Sequence, residues 1–137
     1  MYERILAAVD ESDIAERVLA AAQGLASLSH GEVYVIHLRE REPSKFLMPP
    51  SETTSEARTL VDGAVQKLAD AGVKATGLVQ DSVFGYAARE IVAEAKSRDA
   101  DVIVMGSRGR GDLAGLLIGS TAHKVIHLAD RPVLVVR

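Results

Sequence analysis

The segment Gly106-Ser107-Arg108-Gly109-Arg110-Gly111-Asp112-Leu113-Ala114-Gly115-Leu116-Leu117-Ile118-Gly119-Ser120-Thr121 carries most of the chemistry this sequence offers. Five glycines fall within fourteen positions, directly after the apolar run Val102–Met105. Glycine lets backbone amides turn inward and approach a ligand with no side chain in between. At Gly119-Ser120-Thr121 the segment runs into a stretch with helical periodicity. A helix start offers N–H groups without intrahelical acceptors and the positive end of a dipole, which suits a phosphate. Ser120 and Thr121 add hydroxyl donors, and Arg108 and Arg110 add positive charge, Arg110 being the more readily read as a solvated loop residue. These residues together make an anion site of the triphosphate kind.

The elements that must position this loop are legible in the apolar pattern. Ile5–Val9, Val33–Leu38, Val73–Val79, Val102–Met105 and Val133–Val136 are short, nearly continuous apolar runs, as expected of strands buried on both faces. Between them lie stripes at helical spacing: Ile14, Val18, Ala21, Leu25 and Leu28; Ala57, Leu60, Ala64 and Leu68; Ala88, Ile91, Val92 and Ala95; Ala122, Val125, Ile126 and Ala129. Asp10 or Ser12 is the expected cap of the first helix and Gly31 follows its end. Gly72 closes the second, and Pro132 stops the fourth. Strict strand–helix alternation predicts an open parallel sheet with helices on both faces.

Five such strands wind in one direction and then reverse once, and ligands bind outside the strand C-termini at the reversal. By analogy with doubly wound sheets, the expected order is 3-2-1-4-5, a Rossmann-like arrangement. The reversal then lies between strands one and four. Asp10 ends strand one and Gly106 follows strand four, so a carboxylate and the glycine loop share one edge.

Other readings of the motifs are weaker. No G-x-x-x-x-G-K-[ST] occurs. Gly109-Arg110-Gly111-Asp112-Leu113-Ala114 matches G-x-G-x-x-A, but the strand that follows ends at Arg137 and not at an acid for a ribose, so the match is read as accidental. His123 and His127 have a zinc-compatible spacing, but Lys124 stands where H-E-x-x-H has glutamate, and a polar outer helix face is the better reading. No protein metal site is expected. The connection Arg39–Ser55, with Pro43, Pro49, Pro50 and Phe46-Leu47-Met48, is long enough to serve a function or to be a flexible loop.

Composition bounds the rest. The 137 residues suit one domain, taken as 1–137, able to bury a core without staples. A net charge of −3 and no sustained Lys/Arg run argue against nucleic acid as a partner. The absence of cysteine excludes disulfides and fits a reducing cytoplasm. The first apolar run is too short for a signal peptide or a membrane span, so a soluble cytoplasmic protein is expected.

The spacing Gly106-x2-Gly109-x9-Gly119-Ser120 resembles that of ATP-binding members of the universal stress protein family. The resemblance extends over Arg4–Asp10, His37-Leu38, Val102–Gly106 and Asp130–Val136, nearly the whole chain. It implies the fold shared with adenine nucleotide alpha hydrolases and ATP as ligand, with magnesium left open. It further implies that Asp10 faces the adenosine, that Ala8 and Val9 line the same wall, and that the backbone of Leu38 meets the adenine edge. Gly106 and Gly109 would lie along ribose and phosphates, with Gly119, Ser120 and Thr121 donating to the outer phosphates; Met105 and Arg108 beside these glycines are counted among the cofactor-binding residues. A homodimer through Val133–Val136 is implied as well, and it would cover an apolar edge. Glu11 departs from the family's usual glycine, and Gln80–Gly85 departs from its shorter turn.

Three functions are compatible with this reading. The main one is a nucleotide-dependent stress sensor or adaptor, in which ATP orders loops presented to a protein partner of unknown identity. The second is a weak ATPase or self-phosphorylating protein, although no water-positioning residue or complete catalytic constellation is evident. The third is a structural dimer without nucleotide, which the intact glycine motif argues against.

Overall fold

In the computed structural model, which describes residues 1–41, 54–109 and 118–137, strands and helices alternate strictly along the chain. They are β1 (Arg4–Ala8), α1 (Ala15–Ser29), β2 (Glu32–Arg41), α2 (Thr54–Asp70), β3 (Lys74–Val83), α3 (Ala87–Ser97), β4 (Val102–Gly106), α4 (Ser120–Leu128) and β5 (Val133–Val136). The five strands form one parallel sheet in the order β3-β2-β1-β4-β5. The alternation is that expected from the pattern, and the order is that expected by analogy with doubly wound sheets.

Strand periodicity sorts the core into two layers. Ile5, Ala7, Val33, Val35, Val102 and Val104 face α1 and α2, where Val18, Leu19, Ala22, Ala64 and Leu68 cover them. Leu6, Ile36, Ile103 and Met105 face α3 and α4, meeting Ala88, Ile91, Ala95, Ala122 and Val125. Burial on both faces is why the strands read as continuous apolar runs.

Several local expectations change. β2 and β3 run on together to Arg41 and Val83, so Gln80–Val83 are strand and not turn. Arg39 ties the two strands together within this extension. Its buried guanidinium is held by both carboxylate oxygens of Asp81, at 2.6 and 2.9 Å, and it donates to Thr54 Oγ1 at the start of α2. In α1 the buried stripe is Val18, Leu19, Ala22 and Ala26, and Leu28 is 85% exposed. The left-handed residue ending α1 is His30, with φ 57°. Gly31 serves another need, because a Cβ there would lie 2.3 Å from the Glu3 carbonyl oxygen. Gly72, with φ 80°, does close α2. Phe46–Met48, the three nearby prolines, and Arg110 to Leu117 lie outside the described residues.

Candidate functional site

The reversal of winding falls between β1 and β4, which pair from Ile5↔Val102 to Ala8↔Met105. The site residues named from sequence converge on this end of the sheet. Ala8 and Met105 are the last register pair, and Val9 and Gly106 follow one step beyond. Ala8 is half-buried while Val9 and Met105 are buried.

Asp10 lies just past β1 and is half-buried. It does not cap α1. The helix begins at Ala15 after Ile14, with no side-chain cap. Instead Asp10 Oδ1 accepts the Ser12 amide at 2.9 Å and the Ser12 hydroxyl. This local turn fixes the carboxylate where β1 gives way to α1. Glu11 beside it is exposed.

Ile14 reaches across to β4. A Cβ on Gly106 would stand 2.6 Å from Ile14 Cγ2 and 3.1 Å from the Arg108 carbonyl oxygen, so this position needs glycine for packing alone. Arg108 is exposed and Gly109 half-buried.

Ser107 was not singled out from the sequence, yet it joins three elements. It is 3% exposed. Its amide donates to the Val136 carbonyl at 2.7 Å, and its carbonyl accepts the Gly119 amide. The first bond extends the β4–β5 ladder. The second sets the start of α4 against the end of β4 although eleven residues separate Ser107 from Gly119 in the chain. The only sequence signal for this role was its place beside Gly106 within the glycine spacing.

Gly119 is buried and has the extended conformation of a helix N-cap, φ −75° and ψ 168°. Its carbonyl accepts the His123 amide at 3.0 Å, the first bond of α4. The amides of Ser120, Thr121 and Ala122 therefore have no acceptor within the helix. Ser120 is exposed and Thr121 half-buried, and neither hydroxyl caps α4. No acidic side chain occupies the first turn to oppose an anion. His123 and His127 are exposed along the same helix.

On the β2 side, Leu38 is half-buried at the level where β1 has ended. His37 before it is 3% exposed, and its Nδ1 lies 2.9 Å from the Val9 carbonyl oxygen. Among the described residues no helix is long and apolar enough to cross a membrane.

An open parallel sheet whose winding reverses between β1 and β4, flanked by alternating helices, defines a doubly wound α/β protein. The chain is more narrowly assigned: it belongs to the Universal stress protein family, whose model matches residues 1–137. It is 31% identical to a universal stress protein of Bacillus subtilis, with all of both chains covered. Among solved structures it is similar to a universal stress protein from Archaeoglobus fulgidus, with TM-score 0.79, 33% identity and full coverage of both chains. It is also similar to an Archaeoglobus fulgidus universal stress protein in complex with dAMP, with TM-score 0.77, 30% identity and coverage of 99% and 98% of the two chains.

Proposed function

We propose that this chain binds an adenine nucleotide, ATP being the ligand that the family resemblance favours, at the C-terminal ends of β1 and β4. In this reading Asp10 faces the ribose, Ala8, Val9 and Met105 line the nucleoside wall, and the Leu38 backbone meets the base. Gly106, Arg108 and Gly109 lie along the phosphates, and Gly119, Ser120 and Thr121 donate to their outer oxygens. The observation that carries the reading is the bond from the Gly119 amide to the Ser107 carbonyl. It sets three amides of α4 without intrahelical acceptors against the C-terminal end of β4, one of the two strands that border the switch point. The dAMP held by the Archaeoglobus fulgidus relative supports the same ligand class.

The donor set fits a nucleotide polyphosphate. Amides and hydroxyls gather at the helix start, an arginine stands at the rim, and a fixed carboxylate lies two residues beyond β1. Magnesium would be carried by the phosphates. The chain is proposed to act as a single-domain sensor or adaptor whose nucleotide state sets the surface shown to a partner. Release of bound small molecules by acid and their identification by mass spectrometry, with calorimetric titration of ATP, tests the binding. An empty protein giving no heat with ATP overturns it. Single-turnover assays with labelled ATP separate a sensor from a weak ATPase or self-phosphorylating protein, with Ser120 or Thr121 as acceptor.

A homodimer through β5 belongs to the same proposal. β5 pairs with β4 on one side, and its other side is the sheet edge. Leu134 on that strand is 40% exposed. An apolar edge of this kind is a template for pairing with a second copy.

A further inference from the structure

We infer that His37 is a positioning residue for base recognition: its imidazole occupies the Val9 carbonyl just past β1, so that the peptide groups of Leu38 are left to face the ligand. The inference rests on the adenine-nucleotide reading for its ligand but on bonds within β1 and β2 for its mechanism.

The backbone parity of β2 is fixed by two bonds. The Glu32 amide donates to the Glu3 carbonyl at 2.7 Å, and the Ile36 carbonyl accepts the Val9 amide at 3.0 Å. Even-numbered residues of β2 therefore turn their N–H and C=O groups toward β1. Leu38 is the next even residue. In a continued parallel ladder its amide would donate to the Val9 carbonyl. That carbonyl instead lies against His37 Nδ1 at 2.9 Å. A carbonyl oxygen only accepts, so Nδ1 carries the proton and donates. The last backbone bond between β1 and β2 among the described residues is thus Val9 to Ile36. Beyond it, an imidazole occupies the acceptor, and both polar groups of the Leu38 peptide point to the side that β1 has left.

One donor and one acceptor on the same residue, spaced as in a strand, complement the adenine edge, where a ring nitrogen accepts beside an amino group that donates. Were Val9 to recapture the Leu38 amide, the donor half of this pair would be lost. The burial of His37 keeps its bond to Val9 out of competition with water.

The test compares His37→Asn, His37→Gln and His37→Leu. Asparagine places an amide nitrogen near the position of Nδ1, whereas glutamine reaches toward that of Nε2 and leucine donates nothing. Each folded variant is titrated with ATP and, separately, with inorganic triphosphate. His37→Asn is expected to hold ATP within about threefold of the native protein, and the other two to lose about tenfold, the worth of one hydrogen bond. Triphosphate affinity is expected to stay within about twofold in all three. Unchanged ATP affinity in His37→Gln and His37→Leu, or an equal loss in His37→Asn, overturns the inference. Amide hydrogen exchange at Leu38 supplies a readout without nucleotide. Exchange should slow by about tenfold or more in His37→Leu, as the amide pairs with Val9. If the native protein binds no ATP, the functional reading fails. The exchange result then still decides the role of His37, and an unchanged rate overturns it.

Discussion

Gly106 lies directly beneath Ile14, with no room for a Cβ between them. The glycine ending β4 and the residue preceding α1 are fitted to each other, so the first glycine of the loop has a packing role independent of any ligand. The two roles separate experimentally. Gly106→Ala should destabilise the fold by about 1–3 kcal/mol through overpacking. Ile14→Ala removes the opposing Cγ2, so the double variant should be less destabilised than the sum of the single changes, by more than about 0.5 kcal/mol. Urea denaturation of the four proteins measures this, and strict additivity would show that the contact does not matter.

Asp81 is the second lever on the same end of the sheet. Arg39 is buried but the Asp81 side chain is half exposed, so the pair is only partly shielded from water. Asp81→Ala should cost about 1–2 kcal/mol, below the range for a fully buried pair. Arg39→Lys should not be neutral, because an ammonium cannot reproduce the two-oxygen contact. Thermal unfolding of both variants checks this, and a stability equal to the native protein's for Arg39→Lys would contradict it.

At the opposite end of the strands, the Tyr34 hydroxyl donates to Glu32 Oε1 at 2.7 Å. That bond, with Lys74 beside it, lowers the Glu32 carboxyl below its ordinary range. The same bond, followed by burial, raises the Tyr34 phenol above its own. A lowered carboxyl contributes stability above its unfolded value that is lost as pH falls through the folded one. A raised phenol contributes stability below its unfolded value that is lost as pH rises through the folded one. Tyr34→Phe should therefore flatten both limbs of the stability–pH curve while costing about 1 kcal/mol near neutrality. Denaturation midpoints across pH test it, and two unchanged limbs would refute the coupling.

Leu134 tests the proposed assembly. Leu134→Lys puts a charge on the β5 edge, a common natural guard against edge pairing. Sedimentation should show a dimer for the native protein and a monomer for the variant, with the fold retained. A native monomer, or an unaffected dimer, would remove β5 as the interface.

The legibility of this protein in its sequence follows its physics. Strands buried on both faces and amphipathic helices leave strong patterns, so element order and class could be read directly, and strand order followed by analogy. Boundaries set by long-range partners could not. β3 continues to Val83, with Arg39 and Asp81 bonded across the strands, and Leu28 is exposed because the buried face of α1 is centred on Val18, Leu19 and Ala22. The glycine spacing pointed to Gly106 and Gly119 but not to Ser107, whose role is carried by backbone groups that any residue type has. Asp10 lies just past β1, and its bond is not the expected helix cap: it braces Ser12 and not the helix. His37 looked like part of a strand, and its bond to Val9 depends on β1 ending where it does.

The central claim is that an adenine nucleotide places its phosphates at the start of α4. Gly119 has an ordinary φ of −75°, so alanine can adopt its backbone and the substitution tests ligand approach and not conformational strain. Calorimetric titration of ATP into the native protein and into Gly119→Ala is the most direct measurement. The account predicts saturable binding to the native protein and a loss of about tenfold or more in a variant of native stability. Equal affinity in the two proteins, or no binding to either, would contradict it.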